Sequence, residues 1–335
     1  MERWLWMRAL TLTVLAAAWL IPAGAAPALA QEKKVTIRLS WKIKGEFAPL
    51  YVGVDKGIFK RHGISAEVLE GAGAVPAAQS VAGGKDDFAY IGAVETVQAV
   101  GQGMPVKMVG QYLKQMPIAL ATYPELTLKS PKDLEGRSIA TTPADSFNRI
   151  FPALAKTHNV DTAKVRIVSV DPGARMGLFL QKQADVLSTY LTNDVPVVED
   201  KLGIKLNVVM LNAWGYNLLG HGLVASVDRL KGDPDTIRKV VAATTEAWQY
   251  TIEHPDEAAD IVVKRFKEFV KKGVVLEQIR LTNTLVTSEA SKGRPLGWSA
   301  SQDWEPMVSL MAGAGLVKEK KPLDAYYTNE FVPSR

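Results

Sequence analysis

Residues 35–69 constrain this chain more than any other stretch, because a complete strand–helix–strand unit is written there in one short run. Val35, Ile37 and Leu39 alternate with polar residues, the period of a strand with one buried face. Phe47, Leu50, Tyr51 and Val54 recur at helical spacing. Lys56-Gly57 closes that helix, with Gly57 free to take positive φ just past its end. Ile58 and Phe59 pack back under it. Arg61-His62-Gly63 then turns the chain into a second strand over residues 64–69.

The same alternation continues, which places the chain in the α/β class. Strands are predicted at residues 87–91, 106–112, 118–122, 138–142, 165–170, 184–190, 206–211 and 222–226. Helices are predicted between them, at 76–81, 95–102, 147–156, 174–181 and 195–201. Leu230-Lys231-Gly232-Asp233 is a predicted turn. From Pro234 onward the pattern is helical, with Ile237, Val240, Val241, Thr244, Ala247 and Trp248 on one stripe. Further helices are predicted at 255–267, 275–283 and 300–314.

A leader precedes this pattern. Arg3 and Arg8 flank a short basic start, residues 9–21 are apolar and uncharged, and Ala28-Leu29-Ala30 offers a cleavage site. Residues 1–30 are therefore expected to be a signal peptide cleaved near Ala30; a membrane anchor is the alternative, disfavoured because prolines interrupt a short apolar core. Such a leader implies export across the inner membrane.

Composition narrows the chemistry. The chain has no Cys, which removes disulfides, thiolate catalysis and Cys metal sites. Its net charge of +5 is scattered, so no nucleic-acid stripe is expected; Lys318, Lys320 and Lys321 are a solvated run. None of the four His residues has metal-ligand spacing, and there is no G-x-S-x-G elbow or P-loop. No enzyme activity, metal or cofactor is expected.

The strand ending at Trp41, the helix carrying L-Y-V followed by K-G-x-F, and H-G-I-x-A-E-V after it together resemble periplasmic solute-binding proteins of ABC importers. The group most similar is the nitrate/sulfonate/taurine and THI5/NMT1-like binding proteins, over residues 35–314. The resemblance implies a two-lobe, type II-like fold with a hinge and a central ligand cleft. Lobe 1 would comprise residues 31–121 and 226–335, lobe 2 residues 122–225, with crossings near Thr122 and Gly222. It also implies a monomer that delivers a small solute to a membrane permease and its ATPase. Two other roles stay open: a periplasmic sensor subunit, and a THI5-like pyrimidine synthase. The synthases use a Cys-rich motif, which this chain lacks.

In open α/β sheets, ligands sit beyond the carboxyl ends of the strands, so the residues there are the candidates. Trp41, Phe47 and Tyr51 are candidate stacking rings, each with packing as its alternative. Gly73, Ala74, Gly92 and Ala93 are small enough for close backbone approach. Gln111 offers an amide. In the loop 141–146, Thr142 and Ser146 precede a helix start suited to a polar group, while Asp145 is expected to cap that helix. Glu95 is likewise expected to be a first-turn helix residue. Tyr190, Asn193, Trp214, Tyr216 and Asn217 complete a pocket expected to stack a ring. Arg149 and Arg175 are the nearest arginines, and His221 lies by the second crossing. An aromatic or heteroaromatic solute such as a pyrimidine or flavin-like ring is expected, with a small oxyanion or alkanesulfonate as the alternative.

Overall fold

Alternation in the first strand survives intact in the computed structural model, which describes residues 32–143, 145–266 and 270–334: Val35, Ile37 and Leu39 are buried and their neighbours are not. The predicted signal peptide, Ala144 and the end of the predicted helix 255–267 lie outside the described residues. The ten strands are β1 (Lys33–Leu39), β2 (Ile64–Leu69), β3 (Phe88–Gly92), β4 (Val106–Gln111), β5 (Ile118–Thr122), β6 (Ser138–Thr141), β7 (Arg166–Ser169), β8 (Val186–Tyr190), β9 (Asn207–Met210) and β10 (His221–Ser226).

They form two five-stranded sheets, ordered β2-β1-β3-β10-β4 and β7-β6-β8-β5-β9. Each sheet has a parallel trio on one side: β1, β2 and β3 in the first, β6, β7 and β8 in the second. Each also contains one antiparallel strand in its fourth place. In the first sheet it is β10, paired to β3 and β4; in the second it is β5, paired to β8 and β9. The chain therefore crosses between sheets twice, before β5 and before β10. These crossings fall at residues 112–117 and 211–220, a few residues ahead of the boundaries expected at 122 and 226.

Side chains on opposite faces of each sheet enter different cores, as the strand period requires. On the first sheet Phe88, Tyr90, Leu223 and Ala225 face the helices Ala48–Asp55, Pro234–Glu253 and Pro255–Val263. Ala89, Ile91, Met108 and Val224 face Ala74–Ala82, Ala93–Gly101 and Ser301–Gly313. The helical tail thus packs on the first sheet, with Trp248 stacked on Tyr112 at 5.8 Å. On the second sheet Leu120, Ile139 and Val186 pack under Ser146–Thr157, and Ala121, Ala140 and Leu187 under Phe179, Val195 and Val198.

Local signals fixed the helix ends where their chemistry was strong. Gly57 takes φ 66° between the first two helices, as expected of a residue without Cβ. The predicted turn at 230–233 is instead the end of a short helix, Val227–Gly232, because Ser226 caps it by accepting from the Arg229 N–H at 3.2 Å.

Candidate functional site

Both parallel trios point their carboxyl ends at one cavity of about 320 Å³ between the sheets. Its size falls at the lower end of the roughly 300–1,000 Å³ of small-molecule sites. From the first sheet, β1 leads into Ser40, Trp41, Lys44, Glu46 and Phe47, β2 into Gly73 and Ala74, and β3 into Glu95. From the second, β6 leads into Thr142, Asp145, Ser146 and Arg149, β7 into Pro172, Gly173, Arg175 and Met176, and β8 into Tyr190, Asn193 and Asp194. His221 joins them from β10. That strand is antiparallel, so its amino end shares the rim with the carboxyl end of β3, His221 pairing with Gly92.

Eight expected residues meet at this cavity: Trp41, Phe47, Gly73, Ala74, Thr142, Ser146, Tyr190 and Asn193. Seven do not line it: six are held by packing or internal hydrogen bonds, and Asn217 is exposed. Tyr51 is buried one turn beyond Phe47, beneath the Arg265 guanidinium at 5.1 Å. Its phenol is pushed up to about 12, first by burial and then by Glu70, with Arg265 opposing. Gly92 serves Glu95 instead of a ligand, since a Cβ there would come within 2.2 Å of the Glu95 Oε2. Ala93 donates its N–H to the Gly220 carbonyl. Gln111 is consumed by the tail: its Oε1 accepts from the Trp304 indole at 2.8 Å, and its N–H bonds to Gly297 O.

Trp214 and Tyr216 are buried in the core with Phe147, Ile150 and Phe151. Trp214 O lies 3.1 Å from His158 Nε2, and Tyr216 Oη 3.4 Å from Thr157 Oγ1. Asn217 is exposed and lies off the cavity wall. The strand-end rule fails there because β9 is the sheet's outer strand and its loop turns under the helix Ser146–Thr157.

The charged lining was the part least visible beforehand. Asp145 caps the helix as expected, accepting from the Phe147 N–H at 3.0 Å. Its other oxygen takes Arg175 Nη1 at 3.3 Å, while Arg175 Nη2 donates to Asp194. Asp194 also accepts from Thr189 Oγ1 at 2.9 Å. One guanidinium is thus divided between two carboxylates. Arg149 lies 3.8 Å from Glu95, whose Oε1 accepts from Ser146 Oγ at 3.2 Å. Glu95, expected as a helix-start residue, is both that and part of the wall.

Glu46 is fully buried. Its Oε2 accepts from Thr192 Oγ1 at 3.1 Å, and its Oε1 lies 2.8 Å from His221 Nδ1. Burial works against charge on His221, but the Glu46 and Glu95 carboxylates outweigh it and raise the imidazole above its ordinary value. Gln278 ties the sheets from behind, accepting from the Gly45 N–H at 2.9 Å and donating to Asn193 O at 2.7 Å. Among the described residues no cluster of His, Asp and Glu is arranged to hold a metal ion, and no helix is long and apolar enough to cross a membrane.

Comparison with known proteins agrees with this geometry. Residues 44–258 match a family model described as NMT1/THI5 like. The riboflavin-binding protein RibY of Chloroflexus aurantiacus is 28% identical over 312 residues, covering 90% of this chain and 86% of that protein. The 4-amino-5-hydroxymethyl-2-methylpyrimidine phosphate synthase of Legionella pneumophila is 21% identical, covering 90% and 93%. Among solved structures, the periplasmic aliphatic sulphonate binding protein SsuA of Escherichia coli superposes with a TM-score of 0.69 at 13% identity, over 88% of this chain and 91% of that one. That likeness shows the fold: two α/β lobes of the periplasmic binding protein type.

Proposed function

The chain belongs to the NMT1/THI5 like family, and from that premise we propose that it is the periplasmic solute-binding component of an ABC importer. The two sheets act as lobes, with the crossings at 112–117 and 211–220 as the hinge. Solute entering the cleft bridges them and stabilises the closed form, which docks on a permease driven by its ATPase. The protein works as a monomer and catalyses no reaction; the similarity to a named riboflavin-binding protein supports binding over synthesis.

The solute is a flat heterocycle with N–H donors, such as a flavin or an aminopyrimidine. The observation that carries this reading is the pairing of Arg175 with two carboxylates, Asp145 and Asp194, which offset its charge although its buried Nε has no acceptor among the described residues. An oxyanion site needs an excess of positive charge at its wall, yet here Glu46, Glu95, Asp145 and Asp194 all line the cavity. Trp41, Phe47, Tyr190 and His221 supply ring faces and edges for stacking. Lys44 favours the second reading, an alkanesulfonate, because it is a lining cation with no carboxylate partner among the described residues.

Titration of the mature protein with riboflavin, 4-amino-2-methylpyrimidine, taurine and nitrate, followed by thermal midpoint and tryptophan fluorescence, separates the two. A ligand at 100 times its Kd adds about 2.7 kcal/mol of stability. Shifts with the rings alone support the heterocycle; shifts with taurine alone overturn it. Neighbouring genes for a permease and an ATPase distinguish the importer from a sensor subunit.

A further inference from the structure

Almost every charged side chain on the cavity wall has a partner of opposite sign. Arg175 holds Asp145 and Asp194, Arg149 stands by Glu95, and His221 lies against Glu46. Lys44 is the exception: it lines the cavity with no ion pair or side-chain hydrogen bond among the described residues. It is half-buried, and its Nζ is not sealed inside the protein, so a molecule in the cavity can reach it. Lys42, two residues earlier, shows the contrast: it is exposed and pairs with Glu70 at 3.5 Å.

The backbone around Lys44 is fixed from three directions. The Ile43 N–H donates to Glu70 Oε1 at 2.8 Å, the Gly45 N–H donates to Gln278 Oε1 at 2.9 Å, and the Lys44 carbonyl accepts from the Phe47 N–H at 3.1 Å. The lysine arm is carried on a positioned segment, which lowers the ordering cost of using it. Gln278 Nε2 also donates to Asn193 O at 2.7 Å, so Lys44 stands where the wall from the first sheet meets the wall from the second. One cation is too little to hold a free oxyanion beside four carboxylates. A ring already held by stacking needs only one further charge contact. A monoanionic substituent matches a single lysine, whereas a phosphate dianion would set a second charge against the acidic wall.

Resting on the reading of the cavity as a heterocycle site, we propose that its solute is a heterocycle bearing one carboxylate, and that Lys44 is the residue that selects the acid. Lys44 Nζ donates to the carboxylate while Phe47 and Tyr190 hold the ring. A neutral ring leaves the ammonium unpaired and binds more weakly. Because Lys44 stands at the junction of the two walls, capture of the acid group favours the closed form.

The test compares 4-amino-2-methylpyrimidine-5-carboxylate with its 5-carboxamide, and 10-carboxymethylflavin with its amide, with riboflavin as a neutral reference. Within each pair the shape is kept and only the charge differs. Dissociation constants are measured by calorimetry at low salt for the native protein and for K44M, with K44Q as a second variant should K44M fold poorly. A hydrogen bond between charged groups corresponds to about a 10-fold preference for the acid. That preference is expected in the native protein for whichever pair binds, and is expected to fall to about 3-fold or less in the variants. A native preference below about 3-fold overturns the Lys44 assignment while leaving the heterocycle reading in place. So does a preference that persists unchanged in a folded variant, since another cation would then be reading the acid. Failure of both pairs and of riboflavin to bind overturns the heterocycle reading and this assignment with it.

Discussion

The two sheets share one strand order and one antiparallel guest strand, yet they are covered unequally. The first is closed on both faces: β3 is buried throughout, and Trp248 and Trp304 are fully buried in the helices over it. The second is thin on one side. Its edge strand β7 is largely exposed, Ile167 being 38% accessible, and the helix Pro172–Leu180 buries only Phe179. That same helix carries Pro172, Gly173, Arg175 and Met176 to the cavity. The first half therefore supplies a rigid wall of rings and buried carboxylates. The second supplies a lightly anchored one. Low burial means low local opening energy, which suits an element that must move when a ligand enters.

The contrast is sharpest at the anchor. Phe179→Ala removes the one buried side chain of the helix and its stacking on Tyr123 at 4.8 Å. A loss of about 3–5 kcal/mol is expected in urea unfolding. Amide exchange should quicken at 172–180 while β3 stays protected; equal loosening of both sheets would break the comparison. Arg175→Leu leaves Asp145 and Asp194 buried without their counter-charge, at a cost of about 3 kcal/mol. It is also expected to weaken binding of any anionic solute further. Tighter taurine binding by this variant would refute the role given to the pair.

The pH dependence separates the hinge from the site. Lys114, in the first crossing, donates to Gln111 O and Trp298 O, and burial brings its amine down to about 7, with Asp303 opposing. Between about 7 and its ordinary 10.5 the unfolded chain holds a proton there that the folded chain does not. Stability from this group therefore rises with pH across that window. His221 behaves oppositely: its value is raised on folding, so its contribution is full below 6.5 and is lost as pH climbs through the raised value. Urea midpoints from pH 5.5 to 9.5 should climb less steeply in K114M than in the native protein. In H221Q the acid side should lose most. Identical profiles for all three proteins would dismiss both effects.

The smallest effect belongs to the surface. Lys205→Ala breaks an ion pair with Glu199 in which the lysine is exposed, and less than about 1 kcal/mol is expected, declining with salt. A larger loss would mean that the second lobe leans on its surface charges as the first does not.

Much of this was legible in the chain because it depends on local period and local chemistry. The alternation of Val35, Ile37 and Leu39, the positive φ of Gly57 and the cap at Asp145 each follow from neighbours a few residues away. Strand ends could then be read in order, which is how Trp41, Phe47, Tyr190 and Asn193 were found. The same rule brought in Trp214 and Tyr216, because an aromatic after a strand looks alike whether it faces a cleft or a helix. It passed over Glu46, whose wall position needs His221 and Thr192, respectively 175 and 146 residues away.

What the sequence determined by itself was the α/β class, the succession of elements and the family, since hydrophobic period and turn residues act at short range. What only the tertiary structure decided was the charge pattern of the cavity. Which carboxylates spend their oxygens on Arg175, and which one sits against His221, depends on two crossings that insert β5 and β10 into opposite sheets. Electrostatic partners are set by distance in space, and separation along the chain carries no record of it.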